Sequence, residues 1–137
     1  MEKNKLFCNN CPRHCNKNIG TFCGVSNDIK ISKIMLHNWE EPCISFKNGS
    51  GTIFFSGCNL KCVYCQNHQI SNACEWTSYT ANDLVNVFKK LENMKADNIN
   101  LVTPTPYANQ ILQALNIYKP KIPVIYNCSG YEELETF

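Results

Sequence analysis

The sequence is short of the features that mark several large functional classes. It has one arginine, Arg13, beside twelve lysines and eleven acids, and no block of either charge. Phosphate-binding surfaces cluster Lys and Arg on one face, so no nucleic-acid partner is expected at a formal net charge of +2. No stretch approaches the roughly 18 consecutive apolar residues of a membrane span. The opening residues Met1-Glu2-Lys3-Asn4-Lys5-Leu6 lack the roughly 7–15-residue apolar core of a secretion signal. Internal repeats and long linkers are missing as well. What is present, 137 residues with 44% apolar and 18% charged, is the composition of one globular domain.

Cysteine is abundant instead, with ten in the chain. Without a secretion signal, closely spaced cysteines read as metal ligands before they read as disulfides. They fall into a group at Cys8, Cys11, Cys15 and Cys23, a group at Cys58, Cys62 and Cys65, and the single Cys43, Cys74 and Cys128. This grouping suggests two metal sites in a reducing, cytoplasmic compartment. The isolated cysteines are expected to pack as small apolar residues. His37 and His68 have no partner at a recognisable spacing and read as surface or satisfied histidines.

Residues 1–27 read as a loop-like, cysteine-rich segment, and residues 28–137 as an α/β domain. Strands are expected over 29–36, 52–56, 98–103 and 122–126. Thr80 with Asp83 forms a capping-box pattern, followed by Leu84, Val87, Phe88, Leu91 and Met94 at helical spacing. A second apolar stripe runs through Ala108, Ile111, Leu112, Leu115 and Tyr118 and stops before Pro120. Ser129 and Glu132 form the start pattern of a further helix. From Thr52 onward strands alternate with helices, which predicts βαβ units in a parallel sheet. Three such strands leave that architecture unfinished.

Cys58-x3-Cys62-x2-Cys65 supplies three thiolates where structural zinc sites and ferredoxin-type clusters use four ligands. A cubane held by three thiolates keeps one iron open, whereas zinc would need His68 or a remote cysteine to complete it. The loop also follows a strand and precedes a helix, at the sheet end where α/β sites are built.

This spacing, with Tyr64 before the third cysteine, resembles the signature of the radical SAM superfamily. Trp39-Glu40-Glu41-Pro42, residues 49–60, Gln66-Asn67, residues 98–105 and residues 126–132 resemble its uncharacterised branch related to pyruvate formate-lyase activating enzymes. The resemblance implies a partial (β/α) barrel, about half of a (β/α)6 core, carrying the cysteine-rich segment at its N-terminus. It implies a [4Fe–4S] cluster on Cys58, Cys62 and Cys65, with S-adenosylmethionine on the open iron. Reductive cleavage would then give a 5′-deoxyadenosyl radical for hydrogen abstraction. Tyr64 matches the aromatic position beside cluster and adenine, Thr103 and Thr105 a loop meeting the methionine amino group, and Asn127 and Ser129 a strand end facing the same mouth. A core aromatic and a capped strand–helix turn are the structural alternatives for Tyr64, Thr103 and Thr105. Pro106 departs from the branch, which is expected to have His there, and Lys95-Ala96-Asp97 replaces a Gly-Ala type turn.

The N-terminal four cysteines suit a closed zinc or iron site, with His14 as a substitute ligand; a disulfide-capable or unligated head is the other reading. Implied partners are a flavodoxin- or ferredoxin-type electron donor, a glycyl-radical or other protein substrate, and a second chain completing the barrel. The alternative to an enzyme is a catalytically incompetent metal-binding fragment, or one half of a split enzyme.

Overall fold

The computed structural model describes residues 7–25 and 27–136; residues 1–6 and Ser26 of the cysteine-rich segment lie outside the described residues. Strands β1 (Ile29–His37) and β2 (Ser50–Phe55) come first, followed by the one-turn helix α1 (His68–Ser71) and β3 (Thr77–Tyr79). Next come α2 (Ala81–Asn93), β4 (Ile99–Val102) and a 3-10 turn (Thr105–Tyr107) leading into α3 (Ala108–Ile117). Strand β5 (Val124–Asn127) and a last 3-10 turn (Leu134–Thr136) complete the order. One open mixed sheet has the order β3-β1-β2-β4-β5. β2, β4 and β5 run parallel, and β1 is antiparallel to both of its neighbours. Among the described residues no helix is long and apolar enough to cross a membrane.

Alternation along the strands puts Ile53, Phe55, Ile99 and Leu101 on one face, where they pack with α2 and α3 in a single apolar core. α2 forms because its local signals agree. The Thr80 side chain accepts from the Asp83 N–H, Asp83 accepts from the Thr80 N–H in return, and Leu84, Val87, Phe88 and Leu91 share the buried face. The opposite face carries Ser50, Thr52, Asn98 and Asn100. Its Thr52 and Asn100 are fully buried, and the β1–β2 connection reaches over it: Asn100 Nδ2 donates to Glu40 Oε1 (3.3 Å) and Asn98 Nδ2 to the Ile44 carbonyl.

Asp97 anchors the far end of that connection. Its Oδ2 accepts the backbone N–H groups of Phe46, Lys47, Asn48 and Gly49 at 2.9–3.2 Å. Burial works against the charged carboxylate, yet these donors outweigh it and hold the carboxyl below its usual range.

The strand–helix–strand alternation from β2 to β5 is as expected, while the sheet differs from an all-parallel one. β1 turns back on β2, and β3 adds an edge that three residues are too short to announce by periodicity. Met94 caps α2 rather than filling the core, and Leu112 faces outward, leaving Ile111 and Ala114 as the buried residues of α3. No helix starts at Ser129; the segment ends in a single 3-10 turn. Glu132 instead accepts the Thr105 hydroxyl at 2.7 Å. Cys43 and Cys74 are exposed and Cys128 half-buried, so none of the three fills the core as expected.

Candidate functional site

The triplet lies on the loop that leaves the C-terminal end of β2. That end is clamped. The Tyr107 hydroxyl donates to the Ser56 carbonyl at 2.6 Å, the Ser56 N–H donates to Lys30, and the Gly57 N–H donates to Ile70. Burial pushes the Tyr107 hydroxyl far above its ordinary pKa, so it stays a donor. Two turns then shape the loop, Cys65 N–H to the Cys62 carbonyl and His68 N–H to the Cys65 carbonyl (3.1 and 3.2 Å), with Lys61 at φ 54°. The Leu60 N–H reaches Cys58 Sγ at 3.4 Å. Cys58, Cys62 and Cys65 are free and half-buried. Tyr64 is 87% exposed at the loop tip, so neither a core position nor contact with a neighbouring ring describes it.

The cysteine-rich head packs directly on this loop. Arg13 Nε donates to the Asn59 carbonyl (2.8 Å), with its guanidinium 3.8 Å from the Phe22 ring centre and 5.6 Å from that of Tyr131. Asn59, 3% exposed, donates from Nδ2 to the Tyr131 carbonyl. Asn10 ties the head to the rest of the domain. Its Nδ2 reaches the carbonyls of Thr105 and Pro106, and its own carbonyl accepts from Glu133 N–H and the Thr136 hydroxyl. Burial raises the Cys11 and Cys23 thiols; polar groups of Arg13 and Asn59 act against it at Cys11 and those of Thr21 and Val25 at Cys23, while the charges of Cys8 and Cys15 add to it at Cys11 and that of Cys8 at Cys23. Among the described residues no three Cys, His, Asp or Glu side chains close on a single metal ion, in the head or in the triplet loop.

At the C-terminal ends of the parallel strands a cavity of about 590 Å³ opens between the β1–β2 connection and the triplet loop. His37, Glu40, Gln66, Asn67 and Asn127 give it a polar wall, and Trp39, Phe54 and Val102 an apolar one. His37 Nδ1 lies 3.5 Å from Glu40 Oε1, and among the described residues neither this nitrogen nor the buried Asn100 Oδ1 has a hydrogen-bond partner. His37 is half-buried beside Glu40 with this nitrogen unbonded, so it is neither the surface nor the satisfied histidine expected from sequence. Asn100, 60 positions from Glu40, joins the pair only through tertiary folding.

The remaining expected site residues divide. Asn127 lines the cavity. Thr103 follows β4 at φ 59°, a strained conformation for a β-branched residue, and its N–H donates to the Asn127 carbonyl. Thr105 is 2% exposed and committed to Glu132, while Ser129 is exposed with its hydroxyl 3.5 Å from the same carboxylate.

The family model of the radical SAM superfamily matches residues 52–135. The chain belongs to the radical SAM superfamily. An uncharacterized protein of Methanocaldococcus jannaschii is 33% identical over 93% of this chain, and the chain spans 40% of that protein's length. No solved structure matches.

Radical SAM proteins as a family bind a [4Fe–4S] cluster and S-adenosylmethionine, and the donor set of this chain fits the cluster. Each iron of a cubane takes its own thiolate, so three free thiols spread along a pinned loop suit it, whereas one zinc ion would need them gathered. The adjoining cavity falls within the roughly 300–1,000 Å³ usual for small-molecule pockets.

Proposed function

We propose that this radical SAM chain performs activating-enzyme-like chemistry, with Cys58, Cys62 and Cys65 each holding one iron and the adjoining cavity taking S-adenosylmethionine. The observation that carries this reading is the placement of three free thiols beside a polar cavity at the C-terminal ends of three parallel strands. When bound, the cluster supplies the electron that splits the sulfonium into methionine and a 5′-deoxyadenosyl radical, which abstracts hydrogen.

The chain's own residues have defined parts in this reading. Gly57 and the Tyr107 clamp fix the direction in which the loop leaves β2. Gln66, Asn67 and Asn127 offer amides to the polar groups of the bound nucleoside and amino acid. Thr103 holds the β4 end open toward the methionine, with Thr105 and Ser129 behind it through Glu132. Tyr64, standing free at the tip, covers the cluster and adenine once they are in place. Cys8, Cys11, Cys15 and Cys23 bind zinc or iron. A flavodoxin- or ferredoxin-type donor delivers the electron, and a glycyl-radical or other protein substrate receives the radical. Further strands, from a longer protein like the matched relative or from a second chain, complete the wall beyond β5.

The test is anaerobic reconstitution with iron and sulfide, comparing the chain with the triple variant C58A/C62A/C65A. The expected result is a brown protein with thiolate-to-iron charge-transfer absorbance and complete loss of sulfide and that band in the variant; unchanged iron and sulfide overturn the assignment. A metal-binding module without turnover is a second reading. It shares the cluster but yields no 5′-deoxyadenosine with dithionite, which chromatography decides.

A further inference from the structure

Residues 7–16 of the head fold back on themselves as a small hairpin. Phe7 pairs with Asn16 in an antiparallel bridge, and the Cys8 N–H donates to the Cys15 carbonyl at 2.9 Å. The next rung therefore sets Cys8 directly opposite Cys15, with both side chains on one face of the ribbon. Residues facing each other across a hydrogen-bonded rung have Cα atoms ~5.5 Å apart, within the span that a disulfide bridges. Their Cβ atoms must draw in by about 1 Å to reach a relaxed disulfide. A bond closed under such strain is readily reduced again.

Access separates this pair from the other two head cysteines. Cys8 and Cys15 are half-buried and free, whereas Cys11 and Cys23 are buried, and burial raises their thiols. The thiolate is the form that attacks a disulfide. Cys8 also lines a cavity of about 360 Å³ between the head and α3, with Lys17, Asn109 and Gln110. A lysine ammonium in the same cavity favours thiolate over thiol and attracts an anionic reagent.

The loop between the two cysteines carries the ties that dock the head. Asn10 Nδ2 donates to the carbonyls of Thr105 and Pro106, and Arg13 Nε donates to the Asn59 carbonyl, next to Cys58. Joining Cys8 to Cys15 closes residues 9–14 into a short ring and restricts the undocked conformations open to both anchors.

We propose that Cys8 and Cys15 are a reversible redox pair, closed by exchange with a small-molecule disulfide, whose closure fastens the head to the domain. The Cys8 thiolate attacks one sulfur of the disulfide RSSR, forming a mixed disulfide and releasing RS⁻. The Cys15 thiolate then displaces the second RS⁻ and leaves the Cys8–Cys15 bond. Two protein thiols are oxidised, one RSSR is reduced to two RSH, and the two protons lost by the cysteines end on the departing thiolates. A metal on the head would occupy the same sulfurs, so the pair works in the metal-free head, and the proposal goes beyond the metal and cluster readings above without resting on either.

The test uses the unmodified chain, stripped with a chelator, desalted anaerobically and incubated with oxidised glutathione. Metal analysis before the chelator reports on the metal reading alone. Non-reducing peptic mapping with tandem mass spectrometry should find Cys8 joined to Cys15, lighter by two hydrogens, with Cys11 and Cys23 alkylated as free thiols. Limited proteolysis within residues 7–25 should slow several-fold on closure and recover with dithiothreitol. C15S should stop at glutathione on Cys8, with proteolysis unchanged. Untouched thiols, glutathione retained on Cys8 of the unmodified chain, or a bond from either cysteine to any other overturns the pair. A closed pair with unchanged proteolysis, or a slowing that C15S reproduces, overturns the fastening. If C15S fails to fold, the reduced and oxidised forms of the unmodified chain decide by the same outcomes.

Discussion

Where α2 and α3 meet the sheet, Ile53, Phe55, Leu84, Phe88, Leu91, Ile99 and Leu101 are shut away from water in one continuous apolar core. In the head, Cys11 and Cys23 are the buried apolar residues, and the ties outward are polar: Arg13 to Asn59, Asn10 to Thr105, and His14 to Glu133. The first region draws its stability from area removed from water, which needs no ligand. The second has hydrogen bonds whose net worth is only ~0.5–1.5 kcal/mol each, and four free thiols. The sheet half rests on its own core, and the head on a few polar ties.

The largest effect should come from striking the scaffold. Phe88→Ala empties a fully buried ring position and should cost about 3–5 kcal/mol, read as a lower urea midpoint. Reconstituted metal at the head should not restore that midpoint, because the loss lies in the core. A full rescue by metal would erase the distinction between the two regions.

Gly57→Ala should strike the junction. Its φ of 89° and the Cys23 carbonyl 2.3 Å from the would-be Cβ leave no room for a side chain. The backbone strain alone is worth about 1–3 kcal/mol. The expected outcome is faster limited proteolysis within residues 7–25 while the unfolding transition of the core persists. Equal protease resistance in the two proteins would mean that the head docks without this contact.

The smallest effect concerns Asp97, whose carboxyl is held below its ordinary value. A depressed folded-state pKa gives stability that is fully present above the unfolded value of ~3.9 and is lost as pH falls through the folded one. Melting temperature should therefore decline below about pH 4, and D97N should flatten that decline while lowering the neutral-pH melting point. A pH profile identical in both proteins would remove Asp97 from the account.

The same division governs what was legible in the sequence. α2 could be read because cap, capping box and apolar stripe lie within residues 80–91 and agree with one another. The triplet could be read because its ligands lie within eight residues. β3 could not, since its three residues exist as a strand only by pairing with β1. Glu40 and Asn100 are 60 positions apart, and Arg13 and Asn59 are 46 apart, so no local pattern announces either pair. Thr105 was read by its place after β4; its engagement with Glu132, 27 positions on, emerges only from the fold.

Arg13 has one more consequence. It carries the only guanidinium in the chain, and that group sits at the junction, stacked against Phe22 and bonded to Asn59. A dicarbonyl reagent selective for arginine therefore has one target, and the adduct mass in a peptic digest marks a single position. Modification rate becomes a clock for undocking of the head, in a protein where lysine-directed labels would report from twelve places at once.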